Sequence, residues 1–158
     1  VSWFDIAATK HIALESGRPV LVVPCHAAVA SLGERILVAW NGSREAVRAV
    51  HDALPLLKRA SFVQVVVVNP SVGYGEHGAE PGADICRHLA RHGVQAEAYV
   101  GHADTQAIGA ALHQQATAIG ADLVVMGAYG HSRFRELVLG GVTRHLLQHL
   151  PVPMLMAH

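Results

Sequence analysis

Four glycines in the last third of the sequence are spaced as a phosphate cradle would need them. The apolar, β-type run Val124-Val125-Met126 stops at Gly127-Ala128-Tyr129-Gly130-His131-Ser132, and after a short amphipathic stretch Gly140-Gly141-Val142-Thr143 opens a helical pattern. Residues without a side chain let main-chain N–H groups converge on one small volume, and the first turn of a helix adds donors and a partial positive charge. The chemistry that such a place supports is anion binding, most often of a phosphate. A second reading stays open, in which Gly127 and Gly130 only turn the chain while Gly140 and Gly141 only allow close helix packing. His131 stands in the glycine loop and, with Arg133, is placed either to touch a phosphate or simply to face solvent.

Other reactive side chains are plentiful but poorly assembled. Among the twelve histidines, His88 and His92, and His145 and His149, are each four apart, which puts two imidazoles on one helical face as in a metal chelate. Neither pair has an evident third and fourth ligand, and both fall near helix ends where the dipole favours a solvated imidazolium, so no metal site is expected. No Ser/His/Asp arrangement, carboxylate pair or Walker A lysine stands in motif context, and no catalytic residue is assigned.

The elements that must position the glycines follow from periodicity. Arg35 to Trp40 reads as an apolar strand stopped by Asn41-Gly42-Ser43, and Ser43 is a good N-cap for a helix carrying Val47, Val50, Leu54 and Leu57 on one face. Pro55, inside that helix, predicts a kink or an early end. Phe62 to Val68 is β-branched or aromatic almost throughout, as suits a strand buried on both faces. The stretch from Asn69 to Gly82 is the longest loop and is expected to be the most mobile. Ile85, Cys86 and Leu89 mark a helix closed by Gly93, and Val94 to Val100 alternates as a strand. Asp104 or Thr105 caps a helix whose apolar face is Ile108, Leu112, Ala116 and Ile119, with Gly120 closing it. Asp122 to Met126, a helix from Val142 to Leu150, and Pro151 to Met156 complete the alternation.

Strands alternating with helices mean βαβ units: an open, doubly wound, five-stranded parallel sheet with helices on both faces. Counted from Arg35, its strand order is expected to be 3-2-1-4-5, with ligands in the crevice between the first and fourth strands. The loops ending those two strands are Asn41-Gly42-Ser43 and Gly127 to Ser132, so both flank one crevice. Ahead of this unit, residues 2–16 read as a helix with Ile6, Ile12 and Ala13 on its apolar side, ended by Gly17, and residues 18–24 as a short strand with prolines at its margins. Residues 25–33 are small and Ala-rich, and read as a linker.

Composition narrows the class of partner. At 158 residues the chain suits one α/β domain with an appendage. A formal net charge of zero argues against nucleic acid as the main partner. No apolar run reaches the roughly 18 residues of a membrane span. Cys25 and Cys86, in no CxxC spacing and with no signal-peptide pattern ahead of them, suit a reducing interior, so the expected compartment is the cytoplasm.

The spacing Gly127-x2-Gly130-x9-Gly140 resembles the nucleotide-binding motif of the universal stress protein family, in which the last glycine is normally followed by Ser or Thr. Ile36 to Ser43 is similar to that family's first strand, which usually ends in Asp-Gly-Ser, and Ala121 to Gly127 and Pro151 to Leu155 match as well. The resemblance covers residues 34–158. It implies a fold like that of the adenine nucleotide alpha hydrolases and a site for ATP or another adenine nucleotide, with Mg or Mn on the phosphates as an option. By that resemblance Ala39, Trp40 and Asn41 meet adenine and ribose, and Val68 gives adenine a backbone contact. Met126, Gly127 and Gly130, with His131 and Ser132, approach ribose and phosphates; Gly140, Gly141, Val142 and Thr143 hold the phosphate tail. Two positions depart from the pattern: Asn41 stands for the usual Asp, and Gly141 for the usual Ser or Thr. An amide oxygen still accepts one hydrogen bond, and Thr143 or Ser132 can supply a hydroxyl. The function so implied is that of a nucleotide-responsive regulatory protein of the stress response, at most a slow ATPase. The rivals are a dimeric interaction module of the same fold that binds no nucleotide, and a metal binder.

The N-terminal segment Gly17 to Pro24 resembles the family's final strand, here Val152 to Met156, and is likewise preceded by a helix. Residues 1–33 therefore look like the remnant of a preceding domain of the same type plus a linker, and residues 34–158 like the second domain of a tandem protein. Family members dimerise by pairing final strands. Residues 19–24 are accordingly expected to pair antiparallel with residues 152–157, within this chain as a tandem pseudo-dimer or with a neighbouring copy as a homodimer.

Overall fold

Strand runs that are apolar on both faces can be buried only if helices cover both sides of the sheet. In the computed structural model, which describes residues 3–25, 29–70, 80–128 and 140–158, they do so. Helix α1 (Trp3–Glu15) and strand β1 (Val20–Val22) come first. They are followed by β2 (Arg35–Ala39), α2 (Arg44–Leu57), β3 (Phe62–Val68), α3 (Ala83–Arg91) and β4 (Glu97–Gly101). A short 3₁₀ turn, Thr105–Ala107, leads into α4 (Ile108–Ala118), then β5 (Leu123–Gly127), α5 (Gly141–His149) and β6 (Met154–Ala157). All strands form one sheet in the order β1-β6-β5-β2-β3-β4. The expected five-stranded, purely parallel sheet is thus corrected to a six-stranded mixed one. β2 to β6 pair in parallel, and β1 joins antiparallel to β6 in the register Val20↔Met156, Leu21↔Leu155, Val22↔Met154. The N-terminal strand is part of the sheet because β6, ending the parallel run, would otherwise present an open ladder edge.

Each face carries its own core. On one, Ala13 of α1, Leu112 and Ala116 of α4 and Leu146 and Leu147 of α5 pack on Leu37, Val66, Val124 and Met126. On the other, Ala49, Val50, Ala53 and Leu57 of α2 and Ile85 and Leu89 of α3 pack on Ile36, Val38, Val65, Leu123 and Val125. Gln64 is the polar exception in β3; its amide donates to Glu97 Oε1 on β4 at 2.7 Å and accepts from Gln115 Nε2 on α4 at 2.7 Å, so a buried side chain is satisfied on both sides.

The N-terminal end of the sheet is held by one carboxylate. Asp122, just ahead of β5, accepts the backbone N–H groups of Gly33, Glu34 and Arg35 at 3.1, 3.0 and 2.9 Å, tying the entry into β2 to the entry into β5. Burial alone would raise the Asp122 pKa, but the Ser31 hydroxyl and those three N–H groups outweigh it, and the carboxyl titrates below its ordinary value.

Several sequence expectations are shifted by packing. Ser43 caps α2, accepting from Ala46 N at 3.1 Å. Replacing it with alanine is expected to lower stability by about 1 kcal/mol, read as a shift in urea midpoint at constant slope. The buried face of α2 is Ala46, Ala49, Val50, Ala53 and Leu57, whereas Val47 is 42% exposed; small residues let the helix lie close to the sheet. Pro55 neither ends nor interrupts α2, since it sits in the last turn on the solvent side. The third strand of the expected sheet is shorter and later than Val94–Val100; it is the outer edge, exposed along most of its length, while Val94 is buried ahead of it. Asp104 makes no capping bond, and α4 begins only after the 3₁₀ turn. In α1, Ala13 is buried but Ile12 faces outward. Most of the loop from Asn69 to Gly82 lies outside the described residues. No helix among the described residues is long and apolar enough to cross a membrane.

Candidate functional site

The carboxyl ends of β2, β3 and β5 and the starts of α4 and α5 enclose a cavity of about 790 Å³. Ala39, Trp40 and Asn41 enter it from the end of β2, and Val68 from the end of β3. Met126 and Gly127 come from the end of β5, and Gly140, Gly141, Val142 and Thr143 from the first turn of α5. These residues, up to 104 positions apart in the chain, meet because β2 and β5 are adjacent while the chain after each leaves toward opposite faces. Gly130, His131 and Ser132, expected at the same place, lie outside the described residues.

The two readings of the glycines divide in an unexpected way. A Cβ at Gly127 would lie 2.6 Å from Ala46 N and from the Glu45 carbonyl carbon, so this glycine is required by the approach of the first turn of α2. At Gly140 and Gly141 no described residue lies within 4 Å of such an atom. Close packing therefore explains Gly127, whereas among the described residues nothing packs against the pair that opens α5.

The cavity changes character along its length. Val66, Ile108, Leu112 and Met126 give it an apolar wall, and the opening turn of α5 gives it a polar end. The N-cap position of α5 is Gly140, which has no side chain to cap it, and the first N–H groups of a helix have no acceptor within it. Thr143 lines the cavity in that turn; it is only 3% exposed, and none of the hydrogen bonds among the described residues reaches its hydroxyl. A hydroxyl with no partner among the described residues and the first N–H groups of a helix, at one end of a cleft, are complementary to an anion.

At the mouth of β2, Asn41 is partly committed. Its Oδ1 accepts from Ser43 N at 3.1 Å, bracing the turn in which Gly42 takes a positive φ of 72°. What it offers the cavity is therefore an amide N–H pair and one remaining lone pair. Asn69, which the sequence reading passed over, also lines the cavity. It sits at φ 52°, a conformation asparagine tolerates, accepts from Ala103 N at 2.9 Å and donates to Ala103 O, pinning the segment after β3 to the segment after β4. Thr105, Gln106, Arg144, His145 and Gln148 were missed too. The one signal for His145 is Gly109, where a Cβ would lie 2.7 Å from His145 Cβ, so that α4 and α5 touch beside the cavity. Burial, with His149 and His113 close by, pushes the His145 pKa below the ordinary histidine value, and its ring joins the wall neutral at neutral pH.

Comparison with known proteins agrees with this architecture. Residues 33–158 match the universal stress protein family. Over 62 residues the chain is 40% identical to a universal stress protein of Synechocystis, a match that takes in 39% of this chain and 20% of that protein. A universal stress protein structure from Archaeoglobus fulgidus superposes with a TM-score of 0.71 at 20% identity, over 94% of this chain and 52% of the other. One from Burkholderia pseudomallei superposes with a TM-score of 0.56 at 25% identity, over 79% and 96%. The chain thus spans about half the length of the Archaeoglobus protein and a fifth of the Synechocystis one. With the sequence match extending over both flanks of the cleft and the fold agreeing around it, the chain belongs to the universal stress protein family, whose members are in general regulatory rather than catalytic.

Proposed function

We propose that this domain is a regulatory stress-response protein that binds ATP or another adenine nucleotide in the cleft between β2 and β5, with a divalent Mg or Mn accompanying the phosphates. One observation carries the reading: the uncapped first turn of α5, with the buried Thr143 hydroxyl in it, closes the polar end of a cavity whose other walls are apolar. A flat aromatic base suits the apolar part beside Val68, Ile108 and Met126, and phosphates suit the helix start. No described residue crowds Gly140 or Gly141, which favours backbone approach, and by the family resemblance Gly130, His131 and Ser132 are expected to serve the same phosphate site. Asn41, where the family usually has Asp, offers the ribose hydroxyls less acceptor capacity, because one lone pair is taken by Ser43 N. The domain senses the nucleotide and at most hydrolyses it slowly. Residues 1–33 are read as the closing helix and strand of a preceding domain of the same type; the antiparallel β1–β6 ladder supports this, as it is the contact two such domains would share.

Calorimetry with ATP, ADP and AMP tests the site. Gly141→Asp places a carboxylate at the helix start, where no described residue lies within 4 Å of a Cβ, so it is expected to fold normally and to weaken nucleotide binding about tenfold or more. Asn41→Asp restores a charged acceptor and is expected to tighten binding about fivefold, one good hydrogen bond being worth about 1 kcal/mol. Parent protein that takes up none of the three nucleotides, or a Gly141→Asp variant that binds like the parent, overturns the assignment; the first result leaves the interaction module as the reading of the fold.

A further inference from the structure

Among the described residues the cleft is lined by no carboxylate and no lysine; its ionisable side chains are Arg144 and His145, both on α5. His145 stands four residues beyond Gly141, about 6 Å along the helix axis from the N–H groups at the polar end. Its ring is held from the other side by α4. Gly109, buried in that helix, leaves the room the ring occupies: a Cβ there would lie 2.7, 3.0 and 3.2 Å from His145 Cβ, Cγ and Cδ2. The groups around the ring are basic or uncharged. His149, one turn on, stacks on it at 4.4 Å between ring centres, and His113 of α4 stands at 6.4 Å. Arg144 precedes it in α5, the 3₁₀ turn brings Thr105 and Gln106 to the same wall, and the sheet brings the apolar Val66 and Met126.

We propose, resting on the reading of the cleft as a nucleotide site, that seating phosphates on α5 is coupled to the uptake of one proton by His145, so that the domain responds to nucleotide and acidity together. The proton comes from the solvent and forms the second ring N–H; no other bond changes. In the empty cleft, burial first and then the imidazoles of His149 and His113 keep the His145 pKa below its ordinary value, and the ring is neutral. A phosphate in the same cavity acts in the opposite sense, because a nearby anion favours the imidazolium. With no carboxylate in the described lining, nothing within it competes with the ligand for that charge. By linkage, affinity is lowest above the bound-state pKa, rises as the pH falls from the bound-state to the free-state value, and is level below the free-state one. Arg144, charged throughout this range, attracts the ligand without adding a pH dependence of its own.

Two measurements test the coupling. Histidine ring signals of the parent are titrated by NMR with and without saturating AMP, and AMP affinity is measured by calorimetry from about pH 8 to about pH 5.5 for parent and His145→Gln. AMP is expected to move the His145 midpoint up by about one pH unit, and the affinity of the parent to rise about tenfold more than that of His145→Gln over that range. Titration of the nucleotide's own phosphate is common to both proteins and drops out of the comparison. His88 is the internal control. It lies on α3, on the opposite face of the sheet, among His51 and His92, and burial likewise lowers its pKa; AMP should leave its midpoint in place. A His145 midpoint unmoved by saturating AMP, or an equal rise in affinity for parent and His145→Gln, overturns the coupling while the site stands. Parent protein that takes up no nucleotide at any pH overturns the site and the coupling with it.

Discussion

Gly127→Ala is expected to destabilise the protein by about 3 kcal/mol, the upper part of the range for overpacking, although it adds a single methyl group. The added carbon would sit 2.6 Å from Ala46 N and the Glu45 carbonyl carbon and 2.8 Å from Glu45 Cβ. Two of those three atoms are backbone, in a turn fixed by the Ser43 cap and by the buried side chains of Ala46 and Ala49. No rotamer change can relieve the contact. Either β5 or the start of α2 must move, and both belong to the same core as Ile36, Val38 and Val125. Urea unfolding followed by circular dichroism measures the loss. The control is Gly140→Ala, where no described residue lies within 4 Å and the change should stay within about 0.5 kcal/mol. Equal urea midpoints for Gly127→Ala and the parent would mean that α2 does not press on the end of β5.

Asp122→Ala is expected to cost about 2–3 kcal/mol, because three N–H groups lose one charged acceptor together. The group is partly exposed, so water recovers some of what is lost, which sets the figure below three independent charged hydrogen bonds. Asp122→Asn keeps one oxygen and should fall between parent and alanine. The pH dependence has a definite sign. The folded-state pKa lies below the ordinary 3.8, so the stabilisation is full above that value and disappears as acid takes the pH down through the lower, folded one. Denaturation curves of parent and Asp122→Ala should therefore differ by a constant amount at neutral and mildly acidic pH and converge in strong acid. A difference that instead grew on acidification would rule out the carboxylate as the source.

Local signals were legible in the sequence where a residue acts on its own segment. Ser43 as a cap, the both-sides-buried run from Phe62 to Val68 and the glycines at 17, 93 and 120, all at positive φ, need only their immediate neighbours. Ten of the thirteen positions named from the sequence line the one cavity for the same reason, as loop and helix starts that follow strands. What escaped notice depends on distance in the chain. Asp122 finds its acceptor role 87–89 residues away, and His51 meets His88 and His92 from another helix. The face of α2 was read in part: Val50 and Leu57 are buried and Leu54 packs on the core, but Val47 is exposed and the alanines were overlooked, because large residues dominate an apolar pattern whereas the geometry at Gly127 demands alanines on the side toward β5. The strand near Val94 to Val100 was misplaced because alternation implies one covered face, and an outermost strand need not have one. Asn69 carried no hydrophobic signal at all; its role rests on a left-handed turn and a contact 34 residues on.

The antiparallel direction of β1 has an effect on what can reach that side of the molecule. With Val20–Val22 seated along Met154–Met156, any incoming chain meets a three-residue rim bounded by Pro19 and Pro24, which can offer a newcomer few backbone donors. That flank is thereby closed to indefinite lateral growth, and the molecule's remaining freedom to lengthen its sheet lies at the opposite margin, along Glu97–Gly101.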